Sequence, residues 1–128
     1  MTQTEAVKMW LEGADDAWDT AQKLFSVQKY HHALFFAQLY LEKLLKALTY
    51  HLKDDHPIFT HDLVLLVEKL SIQASPEQIE DLREISKFNV SARYDELKRE
   101  LYKKATPEFT SVWMQKIKNL ADYFRSKI

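Results

Sequence analysis

The sequence contains no cysteine, and it has only one glycine and three prolines among its 128 residues. The absence of cysteine excludes disulfides, thiolate metal ligands and a cysteine nucleophile. A single glycine also argues against a glycine-rich phosphate loop and against the glycine-framed turn of serine hydrolases. Because β-turns and hairpins depend on glycine and proline, this composition favours a helical protein.

The chain also lacks an excess of charge of one sign and a long apolar run. Its formal net charge is −1, so bulk electrostatics do not favour binding to nucleic acid or to an anionic membrane. Lys43 and Lys46 interrupt the most apolar segment, and the first ten residues lack the basic start and apolar run of a signal peptide. We therefore expect a cytoplasmic protein with no membrane contact and no cofactor.

Apolar residues recur at steps of three and four along most of the chain, which predicts amphipathic helices. We predict a single all-α domain over residues 1–128, an up-and-down bundle of four to five helices. The predicted helices cover residues 4–26, 30–52, 62–71, 75–88 and 106–128, and a further polar helix is expected at 95–104. Residues 89–94 look irregular. The expected N-caps are Thr60, Ser75 and Thr106.

The central segment, residues 30–48, is apolar on almost every side of a helix. Such a helix belongs at the centre of a bundle. It nevertheless contains polar residues, which must reach a partner or line a cleft because burying them alone is costly. These residues are Gln38, Glu42, Lys43 and Lys46.

The five histidines do not form a metal-binding pattern. His31 and His32 are adjacent, so on a helix they point about 100 degrees apart and cannot share a metal ion. The remaining three are separated by five residues each, which also fails to place them on one helix face. No HExxH pair or carboxylate–histidine cluster occurs, so we predict no metal site.

Two groups of residues could contact nucleic acid, but each has a simpler interpretation. Aromatic side chains could stack on bases, although their helical spacing favours a place in the core; they are Phe35, Phe36, Tyr40, Trp113 and Phe124. A basic cluster is interrupted by Glu96 and Glu100, which favours a solvated face with ion pairs. That cluster is Lys98, Arg99, Lys103 and Lys104.

Two polar residues near predicted helix ends have both structural and functional interpretations. His61 precedes the third helix, where its ring could bond a neighbouring helix end. Arg93 follows the fourth helix, where it could cap carbonyl groups or pair with Glu42. Next to Tyr94 at a cleft edge, Arg93 could instead bind a phosphate group. The residues by themselves leave both roles open and slightly favour the structural one.

Several motifs, taken together and in order, resemble the HEPN domain (higher eukaryotes and prokaryotes nucleotide-binding). They are a first helix centred on Trp10, Tyr30-x-x-Ala33-x-x-x-Ala37-Gln38, Glu42-Lys43-x-x-Lys46-Ala47, His61-Asp62-Leu63-x-x-Leu66 and Ala92-Arg93-Tyr94-Asp95. The resemblance implies a bundle of four to five helices that usually forms a homodimer. It also implies a frequent pairing with a minimal nucleotidyltransferase, in systems that resemble toxin–antitoxin pairs.

The chain departs from the pattern of the active HEPN ribonucleases. The resemblance implies a metal-independent nuclease motif, an arginine and a histidine separated by four to six residues. Arg93 matches the arginine, but the histidine positions hold Lys98, Arg99 and Glu100, and no other arginine has histidine at that spacing. Histidine can move a proton near neutral pH, whereas lysine and arginine cannot. The resemblance therefore implies binding without catalysis.

The resemblance and the polar residues of the second helix predict one cleft that binds a nucleotide or phosphate group. Its predicted site residues are Lys43, Lys46, His61, Arg93 and Tyr94, and its predicted floor is formed by Glu42, Lys43 and Lys46. The implied partners are a second copy of the chain, a nucleotidyltransferase, and a nucleotide or RNA. One alternative is a divergent metal-independent ribonuclease toxin that uses Arg93 on the phosphate and His61 as the base. A second alternative is a dimerising scaffold only.

Overall fold

The chain folds into helices that pack around α2. The computed structural model describes residues 1–91 and 95–128, with the side chains of all of these except residues 90 and 91. The helices are α1 (Gln3–Ser26), α2 (Tyr30–Lys53), α3 (Leu63–Leu70), α4 (Pro76–Ser91), α5 (Asp95–Lys104) and α6 (Pro107–Arg125). The described residues contain no β-strand. The prediction of an all-α bundle is confirmed. The described residues form six helices, slightly more than the four to five expected, because α3 and α5 are both separate short helices.

Helix α2 is the centre of the bundle, since it contacts every other helix. Its buried apolar side chains lie on most sides of the helix, and they include Leu34, Leu41, Leu44, Leu45 and Leu48. Each fully buried leucine contributes about 1.5–3 kcal/mol relative to an exposed one. The predicted role of residues 30–48 as the central helix is confirmed. Within residues 1–91 and 95–128, none of the helices combines the length and hydrophobicity needed to cross a membrane.

Two of the three predicted N-caps are confirmed. Ser75 Oγ accepts a hydrogen bond from Gln78 N at 3.0 Å, and Gln78 Oε1 accepts one from Ser75 N at 2.9 Å. This reciprocal pair is a complete capping box at the start of α4. Thr106 Oγ1 accepts from Phe109 N at 3.1 Å and caps α6.

The third N-cap prediction is wrong, because Asp62 and not Thr60 caps α3. Asp62 Oδ1 accepts hydrogen bonds from Val64 N at 3.0 Å and Leu65 N at 3.2 Å. Thr60 Oγ1 instead accepts from Asp62 N at 3.1 Å, outside the helix. Both residue types can cap a helix, and the position of the first helical turn decides which one does.

Helix α4 continues to Ser91, so the expectation of irregular structure from residue 89 is wrong for residues 89–91. Asn89 is buried, and its side chain is bonded to α2. Tertiary contacts of this kind extend a helix past the point where its own apolar pattern ends.

The aromatic side chains divide between the core and the surface. Tyr40 and Phe124 are buried, and Phe36 and Trp113 are partly buried against the core, as the helical spacing predicts. Phe35 is half-buried and lies outside the core cluster, and it lines a surface cavity beside α5 together with Phe36.

Candidate functional site

A buried carboxylate on α2 binds polar side chains from two parts of the chain. The side chain of Glu42 is 5% exposed. Its Oε2 accepts a hydrogen bond from Lys46 Nζ at 3.0 Å, and its Oε1 accepts one from Gln38 Nε2 at 3.1 Å. Gln38, Glu42 and Lys46 lie four residues apart and therefore share one helix face.

His61 joins this carboxylate from the segment before α3. Its Nδ1 lies 2.8 Å from Glu42 Oε1. Because an ionised carboxylate only accepts hydrogen bonds, Nδ1 carries the hydrogen in this contact. Glu42 thus sets the orientation of the imidazole ring, and the His61 side chain is 29% exposed.

The same set of contacts reaches the end of α4. Gln38 Oε1 accepts a hydrogen bond from Asn89 Nδ2 at 3.0 Å, and Gln38 Nε2 also donates to the backbone carbonyl of His61 at 3.3 Å. Both amide side chains are buried. We call Gln38, Glu42, Lys46, His61 and Asn89 the Glu42 network. Asn89 Oδ1 is buried and accepts no hydrogen bond from the described residues.

The pKa of Glu42 lies below its ordinary value of 4.5. Burial by itself raises this pKa, but the hydrogen bonds from His61, Gln38 and Lys46 and the positive charge of Lys46 together outweigh burial. Glu42 is therefore ionised at neutral pH. It balances the charge of Lys46, whose side chain is only 9% exposed.

The structure brings together two of the predicted site residues, Lys46 and His61, through Glu42. Lys43 is oriented differently, since a Cβ placed on Gly13 of α1 would lie 3.4 Å from its Cδ and 3.6 Å from its Nζ. Lys43 therefore lies over α1 and is no part of the Glu42 network. Its predicted ligand contact stays a prediction.

Arg93 and Tyr94 lie outside the described residues, and so the predicted contacts of these two side chains stay predictions. This includes the expected pairing of Arg93 with Glu42. The described partners of Glu42 are Lys46, His61 and Gln38.

The hydrogen bond between Gln38 and Asn89 was not predicted from the sequence. Gln38 carries a usable signal, since it is a polar residue four positions before Glu42 on an apolar helix. Asn89 carries none, because its partner lies 51 residues away and the contact depends on how α4 crosses α2.

A second polar region lies where α5 meets the start of α2. A surface cavity of about 320 Å³ is lined there by His31, Asp95, Lys98, Arg99, Tyr102 and Lys103. We call His31, Lys98, Arg99, Tyr102 and Lys103 the α5 basic surface.

The expectation that ion pairs balance this basic cluster is wrong. None of its four cations forms an ion pair with any described residue; they are Lys98, Arg99, Lys103 and Lys104. Glu100 lies on the other side of α5, in a cavity that also includes residues of α4.

No group of three or more histidine and carboxylate side chains within the described ranges is close enough to hold a metal ion.

Comparison with known proteins identifies the family. A family model described as HEPN domain matches residues 7–127, which is nearly the whole chain. The chain belongs to the HEPN domain family. This confirms the resemblance drawn from the motifs.

The fold of this HEPN domain is also found in a solved structure. The crystal structure of TT1696 from Thermus thermophilus superposes with a TM-score of 0.80, over 95% of this chain and 98% of that one. The two sequences are 21% identical, so the likeness concerns the fold alone. A comparison with curated proteins gives no match.

The positions at which the resemblance implies a catalytic histidine all lie on α5. Lys98, Arg99 and Glu100 occupy them, and all three are exposed. In this HEPN domain, two of these three positions carry a basic residue and none carries histidine.

Proposed function

We propose that this HEPN domain binds a nucleotide or another phosphate-bearing ligand without cleaving RNA. We further propose that it is the companion subunit of a minimal nucleotidyltransferase in a toxin–antitoxin-like pair. The observation that carries the proposal is the bond between His61 and the buried, ionised Glu42. It holds a partly exposed imidazole in a fixed orientation beside the end of α4, where Arg93 and Tyr94 follow in sequence.

The predicted site residues have different roles in this proposal. His61, Arg93 and Tyr94 would contact the ligand, with the guanidinium bound to a phosphate group. Lys46 would act indirectly, because Glu42 already balances its charge and its side chain is buried. Lys43 would provide positive charge at the edge of the site.

Thermal unfolding in the presence of ligands tests the binding proposal. A ligand that binds only the folded state stabilises it by about 2.7 kcal/mol at a hundred times its dissociation constant. We expect ATP, GTP or AMP to raise the melting temperature of the wild type and to raise that of Arg93→Ala and His61→Ala much less. Lys53→Ala is the matched control, since Lys53 is exposed and ends α2 three turns beyond Glu42. If no nucleotide and no inorganic phosphate stabilises the wild type, the binding proposal is wrong.

The pairing proposal has its own test. We expect the protein to copurify in a defined stoichiometry with a nucleotidyltransferase encoded beside it. Separate elution of the two proteins from a size-exclusion column at micromolar concentration would contradict this part of the proposal and leave nucleotide binding untouched.

A second candidate function is metal-independent RNA cleavage, and the geometry of His61 favours it. A carboxylate that orients the Nδ1–H of an imidazole is the arrangement that supports a general base. His61 would accept the proton of a ribose 2′-hydroxyl while Arg93 binds the phosphate. Incubation of RNA with EDTA distinguishes the two functions: cleavage by the wild type that His61→Asn and Arg93→Ala abolish would establish the nuclease, and equal cleavage by all three would mark a contaminant.

We also propose that the protein forms a homodimer. Exposed apolar side chains lie on the two terminal helices, namely Met9 on α1 and Val112 on α6. A groove between these helices is lined in part by Trp18, Phe25 and Met114. A two-fold interface buries the same patch on both subunits. Light scattering that gives a monomer mass at micromolar concentration would contradict the dimer.

A further inference from the structure

The loop between α2 and α3, residues 54–62, is attached to the bundle near both of its ends. On the α2 side, His56 Nδ1 lies 2.8 Å from the Tyr50 hydroxyl, and the two rings meet edge to face. On the α3 side, His61 Nδ1 lies 2.8 Å from Glu42 Oε1. The segment between these two contacts is therefore held in a defined position.

Phe59 lies in this segment, and its ring extends into solvent. The residue is 98% exposed, more than any other large apolar residue that the structure describes. Covering a phenylalanine ring is favourable, so a loop that leaves one fully open loses that stabilisation. Both faces of the Phe59 ring are thus accessible to a ligand.

The position of Phe59 distinguishes it from other exposed apolar residues, which are common on protein surfaces and need no function. Its ring centroid lies 6.3 Å from that of His61, and the two ring planes are tilted by 59°. His61 is the residue that the proposed function places against the ligand, and Glu42 orients it. A ligand in contact with His61 therefore has the open ring of Phe59 beside it.

We propose that Phe59 stacks on the base of a nucleotide bound at His61, and that this contact selects nucleotides over ligands that carry only a phosphate group. This proposal rests on the proposed function, because it assigns the contact of the base in the same ligand. A nucleotide carries its phosphate and its base on one sugar, so the base extends away from a phosphate bound by Arg93. Every base has a flat face that can stack on an aromatic ring, so the contact selects for the presence of a base.

A protein partner could also cover Phe59, but its surroundings favour a base. Protein interfaces centre on a well-packed cluster of apolar side chains. The chain neighbours of Phe59 add little to such a cluster, since Thr60 is polar and Ile58 is largely covered, at 36% exposed. A single open ring beside a partly exposed histidine fits a ligand with one flat apolar part and several polar groups.

Isothermal titration calorimetry with AMP and with ribose 5-phosphate tests the contact, because these ligands differ in the base. We expect the wild type to bind AMP about tenfold more tightly than ribose 5-phosphate. Phe59→Ala should bind the two about equally, whereas Phe59→Trp should keep the preference. Because the side chain is exposed, both variants should fold like the wild type. Val27→Ala is the matched control and should behave like the wild type, since Val27 is 63% exposed and precedes α2 at the opposite end of the helix.

The ring protons of Phe59 provide a direct readout of stacking by NMR. A base stacked on the ring shifts the resonances of these protons upfield, whereas ribose 5-phosphate has no aromatic ring to do so. Phe59→Ala identifies the resonances among those of the seven phenylalanines by their absence. We expect the upfield shift with AMP and none with ribose 5-phosphate. The same shift with both ligands, or with neither, would contradict a contact with the base.

The calorimetry separates failure of this proposal from failure of the proposed function. Equal affinity of the wild type and Phe59→Ala for AMP would overturn the stacking contact and leave nucleotide binding at His61 intact. Equal affinity of the wild type for AMP and ribose 5-phosphate would also overturn it. If the wild type binds neither ligand, both proposals are wrong. If Phe59→Ala keeps its affinity for AMP but no longer copurifies with the nucleotidyltransferase, the ring contacts a protein, and the stacking proposal is wrong.

Discussion

The Glu42 network and the α5 basic surface both place lysine near histidine, but they differ in where the balancing negative charge lies. In the Glu42 network the carboxylate is internal, 3.0 Å from Lys46 Nζ and 2.8 Å from His61 Nδ1. In the α5 basic surface no described residue pairs with the cations. A buried charge must be paired within the protein because its desolvation is costly. An exposed charge stays hydrated and therefore needs no partner within the protein.

This difference separates a buried, paired lysine from exposed cations that form no ion pair with a described residue. Lys46 was predicted to bind a ligand directly, and that contact stays a prediction; in the structure its buried charge is balanced by Glu42. The cations of α5 were predicted to lie on a solvated face with ion pairs; they are exposed, and none of them forms an ion pair with a described residue. Burial and pairing, more than residue type, indicate which lysines can bind an anion.

The largest expected effect comes from removing the buried carboxylate. We expect Glu42→Gln to lower the free energy of unfolding by about 3–5 kcal/mol, because Lys46 then remains buried without a counter-charge. Urea denaturation measures the change. The double variant Glu42→Gln/Lys46→Met, which removes both charges, should be clearly more stable than the single variant. A loss below about 1 kcal/mol for Glu42→Gln would show that the buried charge of Lys46 does not depend on Glu42 for its balance.

The pH dependence of stability should show the same carboxylate. The pKa of Glu42 is lower in the folded than in the unfolded state, where it is near 4.5. The unfolded state therefore binds more protons between the two values, and the stabilisation present above pH 4.5 is lost as the pH falls through the folded pKa. Urea denaturation between neutral and acidic pH should show a steeper loss for the wild type than for Glu42→Gln/Lys46→Met. If the stability of the two proteins falls equally with decreasing pH, Glu42 is not the source of the acid sensitivity.

A surface ion pair provides a smaller effect for comparison. Arg125 binds both carboxylate oxygens of Asp15, at 2.6 and 3.0 Å, and joins α6 to α1. Both side chains are more than a third exposed. We expect Asp15→Asn to cost less than about 1 kcal/mol and to cost less still at high salt. A cost as large as that of Glu42→Gln, measured in the same urea titration, would show that burial does not make the Glu42–Lys46 pair more important for stability than the Asp15–Arg125 pair.

The smallest expected effect on stability comes from the α5 basic surface. We expect Lys98→Ala/Arg99→Ala/Lys103→Ala to change the free energy of unfolding by no more than about 0.5 kcal/mol, since these exposed side chains have no described partner. A decrease in the free energy of unfolding above about 1 kcal/mol would show that these cations stabilise the fold, as the Glu42 network does.

Local sequence signals predicted local structure well. The capping box of α4 joins residues three positions apart, and it could be identified because both partners belong to one short motif. The cap of α3 could not be chosen in the same way. Thr60 and Asp62 are both suitable, and the choice depends on where Leu63 enters the core, next to the Ser86 hydroxyl that accepts its N–H at 3.0 Å.

The sequence alone determined the helical class, the central place of α2 and the membership in the HEPN family, because helical periodicity and motif order are properties of neighbouring residues. Only the tertiary structure decided how the polar residues are used. It joined His61 to Glu42 across 19 residues, turned Lys43 toward Gly13 and bonded Asn89 to Gln38. It also left the cations of α5 without an ion pair to any described residue. These outcomes depend on how helices cross one another, and the spacing of residues within one helix does not specify that geometry.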